Sequence, residues 1–434
     1  MFLSSHAIQY TLSHLLHVAF PQEVAKIQIQ NDDISTTIGG ITCHFNVMPL
    51  NDCELLKKHQ LIFKEYITLF EQKVPIYIPS PHTTLFDIQQ QSITFHCDLI
   101  TLPFVLLSRI EELWPGAHFD KHERFCYEGS LSQFYQCIDY PIVDYYALWL
   151  RQTILTSFPN ITVIPRQSQT ISTHDIDILT RFGSPWKNLR TLLADLLKLR
   201  NLPIFCTSWK QYLRWKQCPI DDPYILAIKM LQQYDHDNHF QSLFFFKSLI
   251  EGERDCTYSI FSEEAANIID DITSKEGIVG LHGSYESSIE ADAFYREKIR
   301  LQQVCKHSVL FHRQHYLRFT CQKTIAIWDN AHIGHDYTLG FAEREGFRCG
   351  TCHPYALYDF HNDRCTAIIE HPLIVMDATL YQYRELKVED ALCIVKKLQN
   401  VCRQAEGDFV LLWHSTTVWR QFRPWFEHLF CKIK

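Results

Sequence analysis

The sequence predicts an α/β fold with parallel strands, preceded by a smaller α+β domain. At 434 residues the chain exceeds one ordinary hydrophobic core, so two domains are expected. From about residue 168 onward, β-branched and aromatic runs alternate with amphipathic segments, which is typical of parallel strands joined by helices. We therefore place the smaller domain at residues 1–160 and the larger at residues 168–434, with a polar, proline-containing stretch between them.

The elements of the smaller domain follow from composition and periodicity. Strands are predicted where β-branched and aromatic residues concentrate, in segments 39–47, 73–80 and 91–100. Helices are predicted where apolar residues recur at intervals of three and four, in segments 102–114 and 142–158. Three roles stay open for this domain, namely substrate recognition, covering of a cleft and assembly.

The elements of the larger domain alternate in type along the chain. The predicted strands are segments 170–177, 239–247, 278–284, 309–319 and 408–415. The predicted helices are segments 187–200, 262–275, 291–306 and 389–404. In such a fold the reactive groups are expected at the carboxyl ends of the strands.

Composition excludes several classes of protein. The chain has 41 basic and 49 acidic residues and a net charge of −8, which argues against a nucleic-acid partner held by a general basic field. No apolar run is long enough to cross a bilayer, and the first twenty residues lack the basic start of an export signal. We therefore expect a cytoplasmic protein whose 16 scattered cysteines are reduced and mostly buried.

Polar residues that suit metal-assisted hydrolysis stand at the predicted strand ends. Asp175 and Asp177 are two residues apart, so a strand points both to the same face. His282 and Glu286 are four apart, which lets both face one way on a turn entering a helix. Carboxylates combined with imidazole form an open site for a divalent metal, beside which a further Asp can act as base and a distant His as acid.

In this order the clusters resemble the motifs of the polysaccharide deacetylase (carbohydrate esterase) superfamily over roughly residues 168–420. The matching motifs are His-Asp-x-Asp at 174–177 for Thr-Phe-Asp-Asp, His282 with Glu286 for His-x-x-x-His, Arg313 with Tyr316, and Leu411 with His414. The first motif is similar to that of a bacterial His-Asp-x-Asp subgroup. Segments 336–350 and 106–113 are similar to further elements of that subgroup, including its extra N-terminal domain.

The resemblance implies a distorted (β/α) barrel and a divalent metal, with zinc the expected ion. It implies these roles: Asp175 as base, Asp177 and His282 as metal ligands, Glu286 as a third ligand, Arg313 as partner of the base, and His414 as general acid. Asp177 stands one residue later than the family's metal-binding Asp, so the roles of Asp175 and Asp177 are open to exchange. Glu286 replaces a histidine of the family motif, which leaves catalysis itself open.

These observations lead to a metal-dependent hydrolase of C–N amide bonds that removes N-acetyl groups from an amino sugar or polysaccharide. The alternative is an inactive carbohydrate-binding or scaffold protein that keeps the barrel. A third hypothesis is an amidohydrolase that acts on a small soluble metabolite. The Cys-x-x-Cys-His run at 349–353 spells a haem-attachment motif, but without an export signal we interpret it as a loop.

Overall fold

The computed structural model describes residues 3–24, 26–30, 33–79, 84–198, 202–249, 255 and 258–434. The elements before residue 160 form the N-terminal part. Its strands are β1 (Ile27–Gln30), β2 (Asp33–Ile38), β3 (Ile41–Asn46), β4 (Glu65–Leu69), β5 (Gln72–Ile76), β6 (Phe86–Gln89) and β7 (Ser92–Asp98). Its helices are α1 (Ser5–Ala19), α2 (Leu50–Lys57), α3 (Thr101–Ser108), α4 (Leu131–Phe134) and α5 (Ile142–Ser157).

The N-terminal part is built on a five-stranded sheet in the order β1-β2-β3-β7-β6. Only the β3–β7 pair in this sheet is parallel, and β4 and β5 form a separate antiparallel hairpin. Alternating burial along β3 gives the sheet one apolar face, as expected of a sheet packed on one side. The predicted mixture of strands and helices in the N-terminal part is therefore confirmed.

The elements after residue 168 form the C-terminal part. Its strands are β8 (Thr170–Ile176), β9 (Gln241–Phe246), β10 (Ile278–Gly283), β11 (Phe311–Gln314), β12 (His335–Asp336), β13 (Tyr355–Asp359), β14 (Arg364–Glu370), β15 (Val375–Met376) and β16 (Phe409–Leu412). Its helices are α6 (Pro185–Leu193), α7 (Leu202–Gln217), α8 (Pro223–Asp237), α9 (Glu263–Ser274), α10 (Ala291–Cys305), α11 (Thr324–Asn330), α12 (Val388–Gln404) and α13 (Arg423–His428).

One nine-stranded sheet organises the C-terminal part, in the order β13-β14-β12-β11-β10-β9-β8-β16-β15. Every neighbouring pair in it is parallel except β13 with β14. The last four residues of β9 are fully buried, which is the continuous apolar pattern of a parallel strand covered on both faces. The predicted α/β fold with parallel strands is confirmed.

A closed barrel is not formed by strand pairing in the described ranges, because the edge strands β13 and β15 do not pair with each other. β13 instead returns antiparallel on β14 as a hairpin. A search of the described helices finds none with the length and apolar character needed to cross a membrane.

The two parts share a buried ionic network. Arg109 binds Glu111 and Glu112, at 2.8 and 2.9 Å, and Glu112 also binds Arg348 of the C-terminal part at 2.6 Å. Arg109 adds a hydrogen bond to the backbone carbonyl of Arg348 at 2.8 Å. The nearby Gly346 has φ +120°, and a Cβ there would lie 2.3 Å from the carbonyl oxygen of Ile138. Segments 106–113 and 336–350, which resemble further elements of the bacterial subgroup, both contribute to this junction.

Candidate active site

The carboxyl ends of six neighbouring strands meet at one edge of the large sheet. The polar side chains at or just beyond these ends are Lys247 (β9), Asp175 and Asp177 (β8), His282 (β10), Arg313 and His315 (β11), His414 (β16) and Asp377 (β15). Parallel pairing aligns these strand ends, and the register sets His282 directly opposite Arg313. The structure therefore brings together five of the six residues predicted from the sequence.

Three side chains form a cluster of metal-ligand type. One ligand atom from each of Asp177, His282 and His315 lies within 4.8 Å of the others. Oδ1 of Asp177 is 3.4 Å from Nε2 of His282 and 3.4 Å from Nε2 of His315. One carboxylate and two imidazoles are a normal ligand set for an open divalent-metal site.

The imidazole orientations are set by contacts on the far side of each ring. Nδ1 of His282 lies 3.0 Å from the carbonyl oxygen of Arg313, so this nitrogen donates and Nε2 faces the Asp177 carboxylate. Nδ1 of His315 lies 2.9 Å from the Asp255 carboxylate. Such outer contacts are those that orient metal-binding histidines. Burial also lowers the pKa of His315, which favours the neutral form that binds metals.

Asp175 lies beside this cluster in a more buried position. Its carboxylate is 3.3 Å from Nη1 of Arg313 and 3.6 Å from Nε2 of His282. Arg313 is itself held by Thr173 at 2.6 Å and by the carbonyl of Tyr337 at 3.0 Å. Burial raises the pKa of Asp175, but the charges of His282 and Arg313 outweigh this effect and bring the pKa below its ordinary value. Asp175 is therefore an ionised carboxylate.

His414 also lies next to the cluster. Its Nε2 is 3.8 Å from Asp177, and its Nδ1 is 2.6 Å from the fully buried Asp377 carboxylate. Burial lowers the pKa of His414, but the carboxylates of Asp377, Asp177 and Asp175, with Asp377 foremost, outweigh burial and raise this pKa to about 10. Thr417 also donates to Asp377, at 2.8 Å, and holds that carboxylate in place. His414 is therefore an imidazolium able to donate a proton at neutral pH.

Lys247 brings a second cation to the cluster. Its ammonium lies 3.1 Å from Oδ1 of Asp177, 3.5 Å from Asp255 and 3.0 Å from Nε2 of His315. Burial raises the pKa of Asp177, yet its contacts with His282, His315 and Lys247 hold the pKa well below its usual value. The same ligand atoms that suit a metal thus also attract this ammonium.

Glu286 lies apart from the cluster. β10 ends at Gly283, and the chain then enters a short 3-10 helix that begins at Glu286. The Glu286 side chain is 66% exposed, and its carboxylate is 3.9 Å from Arg318. His282 and Glu286 were expected to face one way, but they do not, because the turn after Gly283 leaves Glu286 in solvent. The third member of the cluster is His315 instead.

A cavity of about 210 Å³ opens above these groups. Residues of both parts line it, namely Arg124, Asp175, Asp177, His315, Tyr316, Leu317, Met376, Ala378, Gln382, Tyr383, Leu412 and His414. Arg124 comes from the N-terminal part and donates to the carbonyl of Tyr316 at 3.1 Å and to the hydroxyl of Tyr383 at 3.2 Å. The N-terminal part therefore supplies one wall of the site.

Three site residues carried signals that the sequence interpretation left unused. His315 follows Arg313 by two residues at the end of a strand, which is the alternation that pairs Asp175 with Asp177. Asp377 and Lys247 directly follow short apolar runs, in the positions where polar groups of a parallel sheet gather. Cys349, Cys352 and His353, by contrast, are buried beside α5, where Asp144 binds the Cys352 backbone amide at 2.8 Å.

Comparisons with known proteins give one family match and several structural matches. A family of unknown function (DUF7033) matches residues 3–159. No curated protein matches the chain in sequence. Among solved structures, a candidate polysaccharide deacetylase from Mycobacterium smegmatis matches with 14% identity, 63% of this chain, 87% of its own chain and a TM-score of 0.41. Two structures of mutants of a CE4 family pseudoenzyme, one with restored enzymatic activity, each match with 8% identity and 58% of both chains, at TM-scores of 0.29 and 0.28.

Proposed function

We propose that the protein is a divalent-metal-dependent hydrolase of C–N amide bonds that removes N-acetyl groups from an amino sugar or polysaccharide. The observation that carries the proposal is the convergence of Asp177, His282 and His315 within 4.8 Å. An ionised carboxylate, Asp175, and a protonated histidine, His414, lie next to that cluster. Metal-assisted hydrolysis of an amide uses these three functions, a Lewis acid, a base and an acid.

The residues present fit a divalent metal. Nε2 of His282 is buried and makes no hydrogen bond with any residue in the described ranges, so the neutral imidazole would offer this nitrogen to an ion. Asp177 and His315 complete an open set of three ligands, as in catalytic sites. The expected ion is zinc, and a bound divalent metal supplies Lewis-acid polarisation of the amide carbonyl.

Asp175 acts as the base in this proposal. Its lowered pKa keeps it ionised, and Arg313 holds one of its oxygens at 3.3 Å. The carboxylate therefore has a fixed orientation from which to accept a proton from the attacking water. The separation of roles between a buried Asp175 and an Asp177 facing both histidines supports Asp175 as base and Asp177 as ligand.

His414 acts as the acid in this proposal. An amine leaves an amide carbon only when its nitrogen is protonated, so a charged imidazolium is suited to C–N cleavage. Asp377 keeps His414 charged and fixes its Nδ1, which leaves Nε2 to face the cavity. The acetylated amino sugar as substrate rests on the order of the strand-end motifs in the sequence.

Metal content is the first test of this function. Wild-type protein dialysed without chelator is expected to hold about one divalent ion per chain, as measured by elemental analysis. The substitutions His282→Ala and His315→Ala are expected to abolish it, because each removes one of three ligands. Glu286→Gln is the matched control and is expected to retain the metal, since its side chain lies in solvent.

For the same proteins, turnover is measured by the release of acetate from N-acetylated amino sugars. His414→Ala is expected to keep the metal and to lower kcat by roughly 10²- to 10⁴-fold, the usual contribution of a general acid. Absence of metal in the wild type even after incubation with zinc would contradict the proposal.

A second candidate is the inactive carbohydrate-binding protein, and the observation that favours it is Lys247. A buried ammonium within 3.1 Å of Asp177 and 3.0 Å of His315 is able to neutralise the cluster in place of a metal. This candidate predicts that the wild type binds amino sugars without metal or acetate release, and that Lys247→Met gains metal binding. A metal-loaded wild type would exclude it.

A further inference from the structure

Helix α6 and the turn that follows it expose one apolar stripe. Trp186, Leu189 and Leu193 are 81%, 49% and 43% exposed, and Leu197 beyond them is 65% exposed. These residues are three, four and four positions apart, so they lie along one side of the helix. An amphipathic helix of a globular protein normally turns such a stripe toward the core.

Helix α7 repeats the pattern. Leu202, Trp209 and Leu213 are 65%, 45% and 44% exposed, with spacings of seven and four that again follow one side. Among the sixteen residues of α7, all described, Ser208 is the single buried one. Large apolar side chains grouped on a surface in this way mark a site that is covered by a membrane or by another molecule.

Contacts of α7 and of the turn before it attach this helix to the segment that precedes α6. Asp195, between α6 and α7, is buried and forms an ion pair with Arg181 and a 2.5 Å hydrogen bond with Ser208. Phe182 packs against Tyr212 and Trp215, each with ring centroids 5.6 Å apart. The exposed stripes are therefore the outer faces of a docked pair of helices.

The charge of this pair is entirely positive. α6 and α7 contain five basic residues and no acidic one, in a chain whose net charge is −8. Four of the five are exposed: Arg190, Lys210, Arg214 and Lys216. The fifth, Lys187, donates inward to the carbonyl of Thr180 at 2.7 Å. Exposed Trp and Leu combined with a purely basic polar face are the composition of helices that lie in a membrane interface.

We propose that α6 and α7 dock the protein on the surface of an anionic lipid bilayer. Tryptophan and leucine enter the headgroup boundary, and the arginines and lysines contact anionic headgroups. A second copy of the chain is a poorer occupant, since two such faces would bring like charges together. In the sequence, α6 begins shortly after Asp177, a residue of the candidate active site. The proposal does not depend on the activity of that site.

Flotation of the full-length protein with lipid vesicles tests the docking. Wild type is expected to float with vesicles of equal phosphatidylglycerol and phosphatidylcholine, weakly with pure phosphatidylcholine, and less as salt increases. The triple substitution Trp186→Ser, Leu193→Ser, Trp209→Ser is expected to lower the partition coefficient by at least about tenfold. Lys210→Glu with Arg214→Glu is expected to lower it by at least about tenfold on the anionic vesicles alone.

The matched control is Ile62→Ser with Phe70→Ser, which removes two exposed apolar side chains of the N-terminal part. It is expected to float like the wild type, and thermal melting of every variant checks that it is folded. Failure of the wild type to float with anionic vesicles overturns the proposal. Self-association of the wild type that the triple substitution abolishes, without vesicle binding, also overturns it in favour of a second copy.

Discussion

The charge of His414 depends most on one neighbouring carboxylate. Burial by itself favours the neutral imidazole, and Asp377, 2.6 Å from Nδ1, contributes most to reversing this preference, with smaller contributions from Asp177 and Asp175. Because the pKa of His414 is raised to about 10, the imidazolium persists through neutral pH and is lost only as the pH rises through that value. In the proposed reaction the acid is therefore in its active form over the whole physiological range.

Asp377→Asn is expected to lower the pKa of His414, because it removes the charge and keeps the shape of the side chain. The alkaline limb of the kcat/KM profile should then move from near pH 10 toward neutrality. Thr417→Val, which deletes a hydroxyl bonded to Asp377 but leaves the carboxylate, is the control and should keep the limb in place. An unmoved limb in Asp377→Asn would show that His414 does not set it.

The alternation of side chains along a strand allowed part of the site to be predicted from the sequence. It correctly expects Asp175 and Asp177 to converge, since both lie at the end of one strand and face one way. It fails for Glu286, which enters a 3-10 turn after β10, and it was not applied to His315, which follows β11. Asp377 and Lys247 directly follow apolar runs, but the order of strands that brings them to the site is not specified by any local pattern.

At the level of elements, the helix predicted over 102–114 shows how tertiary contacts decide a boundary. α3 ends at Ser108 because Arg109 adopts φ 62°, and a 3-10 turn follows. That conformation directs the Arg109 guanidinium to Glu111 and Glu112. The periodicity of the apolar residues continues past the break, so the sequence alone extends the helix.

Arg348→Met is expected to destabilise the protein by about 3–5 kcal/mol, since it leaves the buried Glu112 carboxylate with one cation instead of two. Urea unfolding followed by fluorescence measures this change. Arg364→Met is the control, because Arg364 is 48% exposed and pairs with Asp329 at the surface. The control should lose no more than about 1 kcal/mol. Equal losses in both variants would remove the special role of the buried network.

For the remaining elements, agreement with the predicted bounds depends on how regular the pattern of apolar residues is. Long amphipathic helices such as α10 and α12 agree closely with the predicted segments, because one apolar face packs on the sheet. The strand predicted over 309–319 is shorter, since β11 spans Phe311–Gln314 and the chain then turns. The hairpin of β13 and β14 was not predicted, because its alternation is interrupted by a register shift after Ala356.

At the scale of the whole molecule, the wall supplied by the N-terminal part is expected to affect binding of the proposed substrate. Arg124→Ala is expected to raise KM for the amino-sugar substrate several-fold and to leave the metal content unchanged, because Arg124 holds Tyr316 and Tyr383 at the cavity but contacts no metal-type ligand. Steady-state kinetics and elemental analysis on the same preparation separate these effects.

Arg151→Ala is the control for that substitution. Arg151 also joins the two parts, through its ion pair with Glu406, but it does not line the cavity. It should therefore leave KM unchanged. A KM that rises equally in both variants would assign the effect to the general junction of the two parts instead of to the cavity wall.

The covering of β13 by the N-terminal part has a consequence for any attempt to divide the chain. The hydroxyl of Tyr10 in α1 binds the backbone of Ala356 at 2.8 Å, and Phe104 in α3 packs on Tyr358 with ring centroids 5.3 Å apart. A polypeptide starting at residue 168 would present β13 as a bare sheet edge flanked by newly exposed aromatic rings, which is a template for intermolecular strand pairing. Recombinant fragments that contain only the C-terminal part should therefore accumulate in inclusion bodies, whereas co-expression with residues 1–160 should recover them.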